Sequence, residues 1–183
     1  PPLILSVGLL ARRKGHDILL RALAQIADLD WQAAIVGRAH EPDTARSLHA
    51  LREALGLSQR VRLTGEIPQA RLDALYRAAQ VFALATRYEG YGIVFDEAMG
   101  HGLPIVSTRA GAVPGTVPPG AGLLVPPEDS DALAAALRRM LVEAPLRDAC
   151  AGAARAAAAR LGDWSATAAV VSAALFDTGG GTR

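Results

Sequence analysis

The chain has 183 residues, of which 51% are hydrophobic, 20% charged and 4% aromatic, and its formal net charge is +1. That length suits one domain, and so apolar a chain of mixed charge is not intrinsically disordered. One cysteine, Cys150, excludes an internal disulfide and a cysteine-built zinc site; the small net charge offers no global field to nucleic acid, and no apolar run reaches the roughly 20 residues of a membrane span.

Residues 3–7 (LILSV) form a continuous apolar run closed by Gly8, the pattern of a strand buried on both faces. Residues 16–27 read as a helix with Ile18, Leu19, Ala22, Leu23 and Ile26 on one side. A second strand, 31–36, stops at Gly37. A helix follows over 42–55, with Pro42 in its first turn and Gly56 placed to cap its end. The third strand, 61–63, ends at Thr64 and Gly65. A helix is expected over 68–79, a strand over 81–85, a helix over 93–99 and a strand over 104–108. Residues 111–120 hold three prolines and read as loop, and 122–125 as a last short strand. Ser130 is placed to cap a helix running to about residue 143, with Pro145 and Trp164 each opening a further helical stretch. The glycine-rich residues 179–183 read as a disordered tail, which leaves 1–178 as one domain.

About six apolar strands alternating with helices imply an α/β fold, a Rossmann-like, doubly wound parallel sheet with right-handed connections. Ligands on such sheets bind beyond the carboxyl ends of the strands. Residues 86–106, TRYEGYGIVFDEAMGHGLPIV, run from one such end through a glycine-containing turn into a helix. Glu89 precedes Gly90-Tyr91-Gly92, and Glu97 follows eight residues after Glu89. Eight residues within one ideal helix would set two side chains about 80° apart. With Glu89 in the loop and Glu97 in the helix, both can face one crevice. The glycines let the backbone approach a ligand, and the helix start offers free N–H groups to a phosphate. Ionised carboxylates accept hydrogen bonds from adjacent sugar hydroxyls. The combination suits a sugar nucleotide, although the same spacing also fits an ordinary helix start flanked by two solvated glutamates.

This segment resembles the E-x7-E signature of the retaining GT-B glycosyltransferases of family GT4, the glycosyl transferase group 1 family. The match runs through Glu89-Gly90-Tyr91-Gly92, Glu97-Ala98-Met99, Gly102 and Pro104. Residues 6–20 (SVGLLARRKGHDILL) resemble the family's first strand and "KG…LL" helix, and residues 61–85 its "V…G…L…Y..A.VF.L" segment. Three blocks in register identify the chain with the C-terminal, donor-binding half of a GT-B enzyme. The resemblance implies that a nucleoside diphosphate sugar is the donor and that no metal or other cofactor is required. Glu97 would hold the ribose hydroxyls and Glu89 those of the transferred sugar. Backbone amides of Gly90, Tyr91, Gly92, Ile93 and Val94 would meet the sugar and diphosphate. Gly65 and Ile67, in the loop after the third strand, would face the base. Gly8, Gly37 and Arg38 would line the crevice.

Eighteen of the nineteen basic residues are arginine, a bias that fits a GC-rich bacterial genome. The one lysine, Lys14, matches the family lysine that contacts the diphosphate and stabilises the departing phosphate. The family's usual arginine after the first strand's glycine is Leu9 here, which puts catalytic strength in doubt and leaves Arg12 or Arg13 to compensate. The family is thought to react on one face of the sugar through a short-lived ion pair, with retention. Its acceptor site lies in an N-terminal domain absent from this chain, so the fragment is expected to bind donor and turn over nothing. The implied setting is cytoplasmic, with any peripheral membrane contact made mainly by that other half and an acceptor that is lipid- or glycan-linked. A non-catalytic sugar-nucleotide-binding module and a sugar-nucleotide epimerase on the same fold remain open alternatives.

Other motifs weigh less. Asp129-Ser130-Asp131 spells D-x-D but begins a helix, which favours capping over metal binding. His16, His40, His49 and His101 lack metal-ligand spacing and read as surface or loop residues, with His16 closest to Lys14. Cys150 reads as packing.

Overall fold

The computed structural model describes residues 1–176. Its strands are β1 (Leu3–Val7), β2 (Gln32–Val36), β3 (Val61–Gly65), β4 (Val81–Leu84), β5 (Ile105–Thr108) and β6 (Gly122–Val125). They form one parallel sheet in the order β3-β2-β1-β4-β5-β6, the doubly wound order expected. The helices are α1 (His16–Gln25), α2 (Pro42–Ala54), α3 (Gln69–Ala78), α4 (Ile93–Gly100), α5 (Val113–Thr116), α6 (Ser130–Val142) and α7 (Ala144–Phe176). A single 3-10 turn, Arg12–Lys14, leads into α1.

The strands are apolar throughout because successive residues serve opposite faces. Ile4, Ala33, Ile35 and Ala83 join one hydrophobic cluster with α1, α2 and α6, while Leu5, Ala34, Val36, Phe82 and Leu84 join a second with α3, α4 and α7. The two-residue period of a strand thus divides one run of apolar side chains between two cores. Cys150, on α7, is buried in the first.

Several expectations require correction. Residues 111–120 are not all loop, since α5 forms one helical turn there with Pro114 at a tolerated first-turn position. The cap of α6 is Asp129 rather than Ser130: its carboxylate accepts the Ala132 amide at 2.8 Å. Both residue types cap well, and the register of the helix decides between them. The two helical stretches expected from Pro145 and Trp164 are one helix, α7, in which Pro145 lies in the first turn, where its missing N–H breaks no bond. Residue 31 stands outside β2, where the Trp31 indole donates to the Ile26 carbonyl at 2.7 Å and the Arg60 guanidinium covers its ring. The tail assigned to 179–183 lies outside the described residues.

Candidate functional site at the β1–β4 switch point

The strand order reverses between β1 and β4, so the connections leaving these two strands diverge and open a crevice at their carboxyl ends. From β1 the chain passes Gly8 and the 3-10 turn before entering α1. The aliphatic stem of Lys14 lies across Gly8, where a Cβ would stand 3.4 Å from Lys14 Cδ. Its ammonium reaches Glu89 in the loop after β4, with Nζ 2.5 Å from Oε2. Both are buried, Lys14 at 5% and Glu89 at 8% relative exposure. Two opposite charges so enclosed compensate each other's lost hydration.

The backbone around this pair is fixed by close approach. Gly15 has φ +64°, and a Cβ there would lie 1.9 Å from the Ala85 carbonyl oxygen, so no side chain can replace its hydrogen without moving the lysine turn off β4. The buried Thr86 hydroxyl lies 2.8 Å from the Tyr88 carbonyl and 3.1 Å from the Arg13 carbonyl and shares its one proton between them, tying the two loops together. Arg87 extends the tie, donating to the Arg12 carbonyl at 2.7 Å, to both Asp17 carboxylate oxygens at 2.8 and 2.9 Å, and to Glu128. Burial works to raise the Asp17 carboxyl, but the Arg87 guanidinium outweighs it and the net shift is downward. On the far side, the Thr116 hydroxyl donates to the Tyr91 carbonyl at 2.8 Å. None of these ties was anticipated from the sequence. Thr86 and Arg87 lie inside the motif segment, where a hydroxyl and a cation beside Glu89 were the available signal.

His16 corrects the expectation of a surface or loop histidine. It is 1% exposed, with Nε2 at 3.3 and 3.2 Å from the Gly8 and Leu9 carbonyl oxygens. Carbonyls only accept, so Nε2 carries the proton. Nδ1 is buried with no partner among the described residues. A second proton would enter a site without an acceptor, and burial above all lowers the histidine pKa to about 4. His40, His49 and His101 are exposed.

The loop 88–92 hands over to α4 through Gly92, at φ +90°. Gly90 and Tyr91 are exposed, Ile93 is exposed and Val94 half-buried at the start of the helix. Glu97 lies one turn further along α4, exposed, where its Oε2 accepts the Tyr76 hydroxyl of α3 at 3.0 Å. The two glutamates are therefore held in different ways, one by a buried cation and one by a phenol. Along the opposite wall, Gly37 donates its amide to the Gly65 carbonyl at 3.0 Å, and Leu10 donates to the Arg38 carbonyl at 3.0 Å. Gly8, Gly37, Arg38 and Gly65 thus form one rim at the ends of β1, β2 and β3. Ile67 packs against the second core, and Arg13 is exposed beside Lys14. A groove of about 680 Å³ between α1 and α2 includes Arg12, Asp17 and Arg87 but none of Lys14, Glu89 or Glu97, and so is a separate feature.

Known proteins resemble this chain in sequence and in fold. The family described as glycosyl transferases group 1 matches residues 1–157. This chain belongs to that family. Among curated relatives, the D-inositol 3-phosphate glycosyltransferase of Corynebacterium jeikeium is 36% identical over 169 residues, covering 88% of this chain and 40% of the relative. Among solved structures, sucrose-phosphate synthase from Thermosynechococcus elongatus superposes with a TM-score of 0.84 at 34% identity, over 97% of this chain and 46% of that one. The Anabaena HepE protein in complex with UDP and glucose superposes with a TM-score of 0.80 at 31% identity, over 86% of this chain and 43% of that one. The chain spans less than half the length of these relatives.

As a glycosyl transferases group 1 domain, the chain carries its family motifs on the crevice-forming loops and on α4. Among the described residues no group of three or more histidine, cysteine, aspartate and glutamate side chains is placed to hold a metal ion. Among the same residues no helix is long and apolar enough to cross a membrane.

Proposed function

We propose that residues 1–178 are the donor-binding domain of a retaining glycosyltransferase that takes a nucleoside diphosphate sugar and works against a second, acceptor-binding domain. The observation that carries this reading is the buried Lys14–Glu89 pair at the switch point, beside the N-terminal end of α4. The pair joins the two functions a sugar diphosphate needs. An ammonium has three donors and a carboxylate several acceptor positions. A diphosphate can therefore join Lys14 while a sugar hydroxyl donates to Glu89, and the two residues need not part.

In this reading Lys14 and Glu89 act at the reacting bond. As the anomeric carbon becomes cation-like, charge gathers on the leaving phosphate, and a fixed ammonium there lowers the barrier. The amides of Gly90, Tyr91, Gly92, Ile93 and Val94 add the positive end of α4. Glu97 takes the ribose hydroxyls, while Gly8, Gly37, Arg38, Gly65 and Ile67 shape the nucleotide side. Arg13 supplies the second positive charge that Leu9 does not. Catalysis uses no protein nucleophile and no metal. The protein works at the cytoplasmic side, on an acceptor that is lipid- or glycan-linked.

Isotope-edited NMR titration of the chain with UDP, GDP and ADP sugars tests the proposal. Shifts at Glu89, Glu97 and residues 90–94 with one of them are expected. No shift near either glutamate with any of the three overturns it. The chain alone forms no glycoside, because it spans about 40% of its curated relatives; robust transfer by these 183 residues would refute that part. Leu9 favours one second reading, a binding module without catalysis. An active full-length protein that loses activity in Glu89→Ala rejects that reading, and product formed without an acceptor would instead indicate an epimerase.

A further inference from the structure

The chain contains three tyrosines, Tyr76, Tyr88 and Tyr91. Two flank Glu89 in the exposed loop after β4, and the third lies under Glu97. Tyr76 is 1% exposed, although its hydroxyl reaches a carboxylate that faces solvent. Its ring is stacked with two neighbours. The His101 ring lies 4.8 Å away at an interplanar angle of 2°, and the Phe82 ring 6.3 Å away at 19°. Phe82 in turn meets Phe95 edge-on at 5.7 Å, so the ring belongs to a packed aromatic stack rooted in the second core. The ring is held by packing from β4 (Phe82), α4 (Phe95) and the residue that follows α4 (His101), and its hydroxyl is directed from α3 toward Glu97.

We infer that Tyr76 is a positioning residue for nucleotide recognition: its hydroxyl holds Glu97 in the rotamer that presents the carboxylate to the two ribose hydroxyls. The inference rests on the role proposed above for Glu97. A free glutamate on an exposed helix face samples several rotamers, and binding a diol with both carboxylate oxygens requires one of them. The Tyr76 bond occupies a single acceptor position on Oε2, leaving Oε1 and the outward side of Oε2 for the ligand. The phenol also remains a donor at every working pH, since burial and then the neighbouring Glu97 charge push its ionisation well above the ordinary tyrosine range. A hydrophobic side chain in its place would fill the same space but leave the carboxylate unguided.

The test measures binding of UDP, GDP and ADP, and of their 2′,3′-dideoxy counterparts, to the wild-type chain and to Tyr76→Phe by calorimetry. The phenylalanine ring keeps the stacking with His101 and Phe82, so an unchanged thermal midpoint is expected. The variant is expected to bind the ribose form of the preferred nucleotide about 5- to 30-fold more weakly. Its affinity for the dideoxy form should equal that of wild type, because that ligand makes no use of an oriented Glu97. Equal weakening for both ligands would show a structural role only and overturn the inference, as would no weakening for either. Glu97→Ala separates the two levels. If it loses the ribose-dependent affinity while Tyr76→Phe retains it, the function proposed above stands and the positioning role fails. If no nucleotide distinguishes ribose from dideoxyribose in wild type, the role of Glu97 itself falls, and the positioning role with it.

Discussion

The two glutamates of the family motif are eight residues apart and live in different physical worlds. Glu89 is buried, and its partner is a buried cation from the 3-10 turn after β1, 75 residues earlier in the chain. Glu97 is exposed, and its partner is the neutral hydroxyl of a residue 21 positions away, on the adjacent helix. The first arrangement stores a strong mutual dependence, since either charge alone would be left without water or counter-ion. The second stores almost none, because Glu97 remains hydrated whether or not Tyr76 is bonded to it. One motif therefore joins a residue on which the fold depends with one on which it hardly depends.

The sharpest way to break this contrast is to remove one charge of the buried pair. Lys14→Met leaves the Glu89 carboxylate buried and uncompensated, and is expected to lower the free energy of unfolding by about 3–5 kcal/mol. Urea unfolding at pH 7 measures it. Lys14→Met combined with Glu89→Leu should recover most of the loss, as an apolar pair of similar size has no charge to strand. If the double variant is as unstable as the sum of the singles, the two residues are not coupled and the contrast with Glu97 disappears.

The Lys14 side also carries a dependence on pH through His16, whose Nε2 is shared by the Gly8 and Leu9 carbonyls at the root of the lysine turn. Burial lowers the folded-state pKa from 6.5 to about 4. Between these values the unfolded chain binds the proton that the native state excludes. Stability from this residue is therefore complete above pH 6.5 and is lost as pH falls toward 4, by about 3 kcal/mol in all. His16→Gln keeps a side-chain N–H for the carbonyls and removes the titration. Its unfolding free energy, followed from pH 7 to pH 4, should lack most of the slope seen in the unmutated chain. An identical slope in both would place the acid sensitivity elsewhere.

Much of the sheet was legible in the sequence because both faces are covered: apolar runs such as LILSV and VFAL are too short for a helix and too apolar for a strand with one wet face. Lys14, Glu89 and Glu97 were legible by resemblance to a family pattern, and the ion pair between the first two follows from nothing local. It depends on β1 and β4 being neighbours, a fact of topology. Tyr76 stood inside a recognised segment without a role, because its bond to Glu97 depends on α3 and α4 lying on the same face of the sheet. His16 departs from expectation for a related reason. A histidine at a helix start beside two arginines and a lysine looks solvated, and only the fold of the loop over it encloses the ring. Asp129 and Ser130 offered equally good caps, so their order rested on one residue of helix register.

The smallest effect is also the most discriminating. Glu97→Ala removes a solvent-facing carboxylate and leaves the Tyr76 hydroxyl at the edge of the crevice, half-released to water. Loss of this one exposed interaction should change stability by less than about 1 kcal/mol, far below the Lys14 variant. On the binding role proposed above for Glu97, nucleotide affinity should nevertheless fall clearly. Thermal unfolding and calorimetry on the same sample give both numbers. A large loss of stability with little loss of affinity would reverse the assignment, making Glu97 the structural member of the motif and Glu89 its free one. The environments argue against that outcome: a charge already hydrated in the folded state has little to lose when the chain unfolds, and a charge sealed beside a lysine has a great deal.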